Sequence, residues 1–160
     1  RPPQPGTHLH RNHTYRHHNQ LHGRGYGITH SRGIALIEYN LFDYNRHSIA
    51  GKGHAISAYE ARHNVELGTA SGHNFDMHGR GSPRVAGQWI KIHHNTFRGT
   101  DVRAIGLRGA SVEGAEVHHN WLYHDEPDER SIRPWPVGGD TGVRLFNNAY
   151  GREQPRLLDP

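Results

Sequence analysis

The segment between Gly72 and Gly79 contains the densest group of side chains in this sequence that could do chemistry. In an extended strand, Asn74, Asp76 and His78 would face the same side, because successive side chains alternate between the two faces. A carboxylate beside a histidine can orient the imidazole as a general base. The spacing therefore indicates a site for proton abstraction, although a short strand with an exposed polar face would show the same pattern.

Cationic residues from neighbouring segments would surround this group if the chain folds in repeated turns. Lys52 and His54 precede the group, and Arg80 and Arg108 follow it. A lysine or arginine can neutralise a sugar carboxylate and so make the adjacent C–H proton more acidic. We expect His54 and Arg108 to bind the substrate. The predicted catalytic residues are Asp76, His78, Lys52 and Arg80.

The composition is basic and rich in histidine, with 17 histidines and a net charge of +4 at pH 7 in 160 residues. A mildly acidic medium would protonate many of these histidines and make the surface strongly cationic. Such a surface favours polyanions, including acidic polysaccharides, although a high pI also simply aids solubility. No nucleic-acid module is visible in the sequence, so we expect no nucleic-acid partner.

Cysteine is absent, and no apolar stretch approaches the ~20 residues that a membrane span needs. Thiolate metal sites, disulfide bonds and cysteine nucleophiles are therefore excluded. A membrane-spanning protein is not expected.

An asparagine-centred repeat runs through the chain at intervals of roughly 26 residues. In each clear copy an apolar residue stands three positions before the asparagine. Apolar and mostly polar residues alternate in the positions that precede it. The alternation predicts short strands, and their recurrence predicts a β-solenoid in which equivalent residues stack. An antiparallel sandwich with asparagine at ordinary hairpin turns is the alternative. The five clear copies contain Asn40, Asn64, Asn95, Asn120 and Asn148, and an imperfect sixth contains Asn19.

The repeat also predicts which residues are buried. The residues five and three places before each asparagine should face inward, from Ala35 and Ile37 to Val143 and Leu145. We expect each asparagine to adopt a left-handed turn conformation and to stack on the next asparagine. The second set of predicted inward residues is Ile28, Ile49, Phe75 and Ile105.

The predicted domain organisation is a single solenoid over residues 8–151. An extended proline-rich lead-in over residues 1–7 precedes it, and an irregular tail over residues 152–160 follows it. A charged, proline-containing segment after Asn120 predicts a long loop over about residues 124–140.

The polar residues of the repeated strands would form two outward columns. Because opposite charges alternate in them, they are either a ladder of ion pairs or a strip that binds a saccharide. The columns are His17, Glu38, Arg62, His93 and His118, and beside them Leu36, Glu60, Lys91, Glu116 and Arg144. In the saccharide interpretation, the binding residues are Arg62, Lys91, His93 and His118, with Trp121 as a stacking platform.

Histidine pairs precede three of the asparagines, at residues 17–18, 93–94 and 118–119. Since adjacent strand residues point to opposite faces, a pair should not chelate one ion, and we predict no metal site. The histidine directly before an asparagine, at His18, His63, His94 and His119, is expected to pack half-buried beside it.

The recurring His-His-Asn-x-Phe or Leu segments at residues 93–97 and 118–122 resemble the repeats of the pectate-lyase-like superfamily. The resemblance covers roughly residues 8–151 and implies an all-β, right-handed, single-stranded parallel β-helix of about five to six coils with asparagine at the turns. It also implies a carbohydrate-active protein, extracellular or on the cell surface, with Ca²⁺ as a suggested cofactor. Enzymes of this superfamily usually have more coils than this chain offers.

Two main classes of function remain open from the sequence, and a histidine-mediated response to metal ions or pH is a third, lesser option. The first is a carbohydrate-active β-helix that binds an acidic polysaccharide on its outer face and acts as a lyase or epimerase, or less readily as a glycoside hydrolase. The alternative is a non-catalytic structural or adhesive module that self-associates through the open ends of the solenoid.

Overall fold

The computed structural model describes residues 6–15, 24–127, 131–134 and 142–154. These residues form seventeen strands and no helix. Successive turns of the chain add strands to three parallel sheets, which gives a β-solenoid of about five turns. The predicted all-β solenoid is therefore confirmed. The described residues contain no helix that is long and apolar enough to cross a membrane.

Neighbouring strands are parallel within each of the three sheets. The first sheet contains β1 (Thr7–His10), β4 (Gly33–Glu38), β7 (Ser57–Arg62), β10 (Ile90–His93), β13 (Ala115–His118) and β16 (Val143–Phe146). The second contains β2 (His13–Tyr15), β5 (Leu41–Asp43), β8 (Val65–Glu66), β11 (Thr96–Phe97), β14 (Trp121–Leu122) and β17 (Ala149–Tyr150). The third contains β3 (Tyr26–His30), β6 (His47–Lys52), β9 (Phe75–His78), β12 (Ile105–Leu107) and β15 (Ile132–Pro134).

Apolar columns fill the interior. In each column, the residue from one turn of the solenoid, or rung, lies directly over the equivalent residue from the next. Ile37, Ala61, Ile92 and Val117 align in register across the first sheet and are fully buried. The predicted inward positions are confirmed for these rungs. Leu145 is different, since its side chain is 46% exposed and no described rung of the first sheet stacks beyond it. The predicted burial of Leu145 is therefore wrong.

The third sheet also contributes a stacked apolar column to the interior, with larger side chains. Ile49, Phe75 and Ile105 align in register and are fully buried, and Ile28 precedes them in the column. Ile132 continues the column on β15. The long loop predicted over residues 124–140 is therefore wrong at Ile132–Pro134, because the apolar residue at this position pairs with the rung before it. Residues 128–130 and 135–140 of that prediction lie outside the described residues.

A ladder of asparagine side chains joins the first two sheets. Asn40, Asn64, Asn95 and Asn120 are buried, and the Nδ2 of each donates to the Oδ1 of the next asparagine at 2.9–3.0 Å. Each Nδ2 also donates to a backbone carbonyl of the preceding rung. Asn95 Nδ2, for example, donates to the carbonyl of Ala61 at 2.9 Å. The ladder thus gives partners to backbone groups that the bend between the two strands leaves out of the sheets.

The ladder begins at Asn12 and not at Asn19, the centre of the predicted sixth copy. Asn12 Nδ2 donates to Asn40 Oδ1 at 3.0 Å, and β1 pairs in register with β4. His10 accordingly occupies the outward position that was predicted for His17. Both Asn19 and His17 lie outside the described residues.

The left-handed conformation belongs to the residue before each asparagine, which corrects the prediction that the asparagine itself adopts it. A residue other than glycine in this conformation costs on the order of 1 kcal/mol. The ladder hydrogen bonds that follow offset this cost. Values of φ between 52° and 55° occur at Arg11, Tyr39, His63, His94, His119 and Asn147.

One carboxylate lies inside the solenoid. Glu66 stands in register between Phe42 and Phe97 in the second sheet and is fully buried. Ser48 donates a short hydrogen bond to Oε2, and the backbone N–H of Gly68 donates to Oε1 at 3.3 Å. Burial raises the pKa of Glu66 to about 7, although these hydrogen bonds oppose the shift.

Substitution of Glu66 by glutamine is expected to stabilise the protein more at pH 8 than at pH 5. The carboxyl group titrates near 4.5 when unfolded and near 7 when folded, so the cost of burying its charge develops as the pH rises through this interval. The full shift corresponds to roughly 3 kcal/mol. Urea unfolding of the wild type and Glu66→Gln at both pH values measures the difference. A difference that is the same at both pH values, as expected for the exposed control Glu113→Gln, would contradict the raised pKa.

Candidate functional site

The outer side of the third sheet contains a buried carboxylate, Asp76. Its neighbours in the strand, Phe75 and Met77, lie in the core, so Asp76 points outward as the alternation predicts. Its partners in register are Ala50 on β6 and Gly106 on β12. Because both flanking positions are small, side chains from adjacent segments close over the carboxylate, and Asp76 is fully buried.

Arg108 and His78 hold the carboxylate of Asp76. Arg108 donates from Nε to Oδ1 at 3.0 Å and from Nη2 to Oδ2 at 2.5 Å, and His78 Nε2 lies 2.9 Å from Oδ2. Burial alone would raise the pKa of Asp76. Hydrogen bonds from His73 and His78 and the charges of His78 and Arg108 outweigh burial and hold this pKa well below its usual range. Asp76 is therefore ionised and can orient His78.

His78 joins the buried carboxylate to the surface. Its side chain is 38% exposed. When Nε2–H donates to Asp76, the neutral ring keeps its lone pair on Nδ1. An accessible imidazole that a buried carboxylate orients is suited to general-base chemistry.

Cationic groups from the adjacent turn lie beside His78. Lys52 is the partner of His78 in register, and Arg80 Nη1 lies 3.1 Å from His54 Nε2. Partial desolvation and the charges of Arg80, Arg32 and Lys52 lower the pKa of His54. The structure thus places all four predicted catalytic residues, together with His54 and Arg108, on one side of the molecule.

Positive charge is concentrated on this side, which we call the basic face. Asp76 is the one carboxylate within the described strands of the third sheet, and Arg108 pairs with it. Glu113 is the one carboxylate in the described parts of the loops that follow these strands, and it accepts from Gln88. The basic face comprises His78 and the cationic side chains of these strands and the loops that follow them, Arg32, Lys52, Arg80, Arg84, Arg108 and Arg133.

Two histidines that were not predicted, His47 and His73, also pack against Asp76. His47 Nε2 lies 3.6 Å from Oδ2, and His73 Nδ1 lies 3.6 Å from Oδ1. His47 Nδ1 donates to the carbonyl of His73 at 2.6 Å, and burial lowers the pKa of His47 to about 4. A signal for them was present, since each stands two places before an inward anchor, Ile49 or Phe75. The repeat therefore places one over the other.

His47, His73 and Asp76 could hold a metal ion, because one ligand atom from each lies within 4.8 Å of the others. Two imidazoles and a carboxylate suit Zn²⁺ and similar ions. Ca²⁺ prefers about six to eight oxygen ligands, so this set does not fit the Ca²⁺ that the family resemblance suggests. Arg108 already donates to both oxygens of Asp76, which balances the carboxylate charge without a metal ion.

His73 also lines a groove of about 780 Å³. Tyr123 lies in its wall. Trp121, which was predicted as a stacking platform, packs on Tyr123 with ring centroids 5.0 Å apart and donates from Nε1 to the carbonyl of Gly151 at 2.8 Å. The charges of the groove are mixed and do not favour a polyanion. Its charged residues are Asp101, Arg103, Asp125, Glu126 and Arg152.

Ion pairs occupy much of the outward surface of the first sheet. Arg62 donates to Glu38 at 2.7 Å and to Glu60 at 3.0 Å, and His93 Nε2 lies 3.1 Å from the same oxygen of Glu60. Lys91 Nζ lies over the ring of Trp89, 6.0 Å from its centroid. These contacts favour the ion-pair interpretation of this sheet over a saccharide-binding strip.

The predicted geometry of the histidine pairs is wrong. The Nδ1 atoms of His93 and His94 are 2.8 Å apart, and those of His118 and His119 are also 2.8 Å apart. The left-handed conformation of the second histidine turns its ring beside the first instead of toward the opposite face. His63, His94 and His119 are exposed and not half-buried as expected.

The basic face is therefore the strongest candidate site on the described surface. It combines a buried ionised carboxylate, an imidazole that this carboxylate orients, and a cationic rim. Comparison with known proteins finds no protein-family model, no curated protein and no solved structure that matches this chain.

Proposed function

We propose that the basic face binds an acidic polysaccharide and that His78 abstracts a proton from a bound uronate sugar. The observation that carries this proposal is the contact between the accessible His78 and the buried Asp76 within a cationic surface. The resemblance of the repeats to the pectate-lyase-like superfamily, which includes polysaccharide lyases and epimerases, supports the same function. Such a protein would act outside the cell or on its surface.

Binding of a polyanion follows from the distribution of charge. The cations of the first sheet that contact glutamates, such as Arg62, are already neutralised. On the basic face, Lys52 and Arg80 are exposed, and the carboxylate beside them is held by Arg108. The uncompensated charge therefore lies where His78 reaches the surface, and this side attracts sugar carboxylates.

The proposed chemistry begins when Lys52 and Arg80 neutralise the uronate carboxylate and make the C5 proton more acidic. His78 takes that proton at Nδ1, and Asp76 stabilises the imidazolium that forms. The electron pair of the C–H bond forms a C4–C5 double bond while the C4–O bond breaks. The imidazolium then returns its proton to the departing oxygen. Reprotonation of C5 from the opposite face without bond cleavage would give an epimerase instead.

Incubation with alginate, pectate and glycosaminoglycans tests the proposal. We expect the wild type to produce an unsaturated sugar that absorbs in the ultraviolet, or an epimerised sugar that NMR detects. His78→Gln is expected to slow the reaction about a hundredfold or more while polysaccharide binding persists. Absence of both products across the panel would refute the proposed chemistry.

A charge-matched pair of variants tests the location of binding. Arg80→Gln removes a cation from the basic face, whereas Arg144→Gln removes one from the first sheet, where its side chain is 73% exposed. We expect only Arg80→Gln to raise the Kd for the polysaccharide. Equal losses in the two variants would show that net charge, and not the basic face, determines binding.

A further inference from the structure

Four histidines form two pairs on neighbouring rungs at the edge of the first sheet. The rings of His93 and His118 stack with centroids 4.8 Å apart, those of His94 and His119 stack at 5.1 Å, and both sets of planes are within 2°. Within each pair the two Nδ1 atoms are 2.8 Å apart. In a neutral pair, one Nδ1 therefore carries a proton and the other directs its lone pair at that proton.

We propose that His93 and His94 bind one divalent transition-metal ion, such as Cu²⁺ or Zn²⁺, between their Nδ1 atoms. Two nitrogens about 2.0–2.1 Å from one ion lie roughly 2.9–3.4 Å apart at octahedral or tetrahedral angles. The separation of 2.8 Å is close to this range. Each ring must also turn so that its Nδ1 lone pair points at the ion and not at the other nitrogen. The proton between the rings moves to Nε2 of His94, so both Nδ1 atoms offer a lone pair. His94 is exposed, and water completes the coordination.

Glu60 makes this pair the better site of the two. Its Oε1 lies 3.1 Å from His93 Nε2 and also accepts from Arg62 Nη1 at 3.0 Å. Nε2–H of His93 donates to the carboxylate, so the lone pair of His93 stays on Nδ1. A carboxylate behind a metal-bound histidine fixes the tautomer and raises the basicity of the ligand.

The second pair has a lysine, and not a glutamate, at the corresponding place on the preceding rung. Lys91 is the partner of Glu60 in register and stands to His118 as Glu60 stands to His93. Lys91 lies over the ring of Trp89, and Glu116 acts on His118 through its charge. Among the described residues, neither gives His118 the carboxylate hydrogen bond that fixes the tautomer of His93. Two divalent ions on adjacent rungs would also repel each other. We therefore expect one ion per chain at this edge.

Titration with Cu²⁺, followed by calorimetry and electron paramagnetic resonance, tests the site. The wild type is expected to show one saturable ion that is weakened in His94→Asn, and the spectrum of this ion should report two imidazole nitrogens. His94→Asn should raise the Kd for Cu²⁺ at least about tenfold, whereas the matched variant His119→Asn should leave it unchanged. Asparagine tolerates the left-handed φ of 55° and 52° at these two exposed positions.

A second variant tests the role of the carboxylate and does not alter the imidazoles. Glu60→Gln should raise the Kd about tenfold while the two-nitrogen spectrum persists. The His47–His73–Asp76 group is the same in every variant, so any Cu²⁺ that it binds cancels in the comparison. Equal affinity in the wild type and His94→Asn would overturn the proposal. Equal losses in His94→Asn and His119→Asn would also overturn it, because the ion would then bridge both rungs.

Discussion

Replacement of Asp76 by asparagine is expected to lower the free energy of unfolding by about 3–5 kcal/mol. Asp76 is fully buried and accepts two hydrogen bonds from Arg108 and one from His78. The amide would place an NH₂ group against these donors and leave the guanidinium without its counter-charge. Urea unfolding at pH 7 measures the loss.

A double-mutant cycle with Arg108→Met separates the ion pair from other effects of the substitution. When both partners are removed, no unpaired charge remains in the site. We expect the double variant to be more stable than the two single losses predict, by at least about 2 kcal/mol. Additive losses would show that the pair is not coupled.

The pH dependence provides an independent check on the same pair. Because the pKa of Asp76 is held below its usual 3.8, the pair contributes its full stability above that pH and loses it as the pH falls through the lower folded value. The stability difference between the wild type and Asp76→Asn should therefore shrink in strong acid. A difference that does not change with acidification would contradict the lowered pKa.

Replacement of Asn95 by alanine is expected to cost at least about 4 kcal/mol, since several buried groups would lose their partners at about 1–3 kcal/mol each. Its Nδ2 donates to the carbonyls of Ala61 and His93 and to Asn120 Oδ1. Its Oδ1 accepts from the backbone N–H and the Nδ2 of Asn64. Alanine can replace neither function. Urea unfolding with an unchanged m-value would measure this as a loss of stability.

The same substitution at the start of the ladder is the matched control. Asn12 is exposed, so the groups that it leaves can hydrogen-bond to water. We expect Asn12→Ala to cost about 1 kcal/mol or less. Similar costs at Asn12 and Asn95 would mean that the buried ladder does not stabilise the solenoid more than ordinary surface hydrogen bonds.

The solenoid and its interior columns could be predicted because they depend on local spacing. Ile37, Ala61 and Ile92 stand at the same distance from successive asparagines, and stacked turns place such residues over one another. The first rung also had a local signal, since Leu9 stands three places before Asn12, where the clear copies have an apolar residue. The competing copy around residue 19 has an arginine at that position.

Features that depend on contacts between turns could not be predicted in this way. The burial of Glu66 follows from its register with Phe42 and Phe97, and a strand of two residues is too short for alternation to show which side faces inward. The paired geometry of His93 and His94 follows from a left-handed φ that the strand pattern does not include.

The sequence by itself determined that this chain folds into a β-solenoid and which residues form the apolar columns. It also determined that asparagines stack along the solenoid. These properties arise from a repeated spacing, and stacking turns converts that spacing into vertical alignment. Only the tertiary structure decided that Asp76 is buried under His47, His73, His78 and Arg108. That outcome depends on the small residues Ala50 and Gly106 in the two adjacent turns and on side chains such as His47 and Arg108 that reach across from those turns. Neither is a property of the strand that contains Asp76.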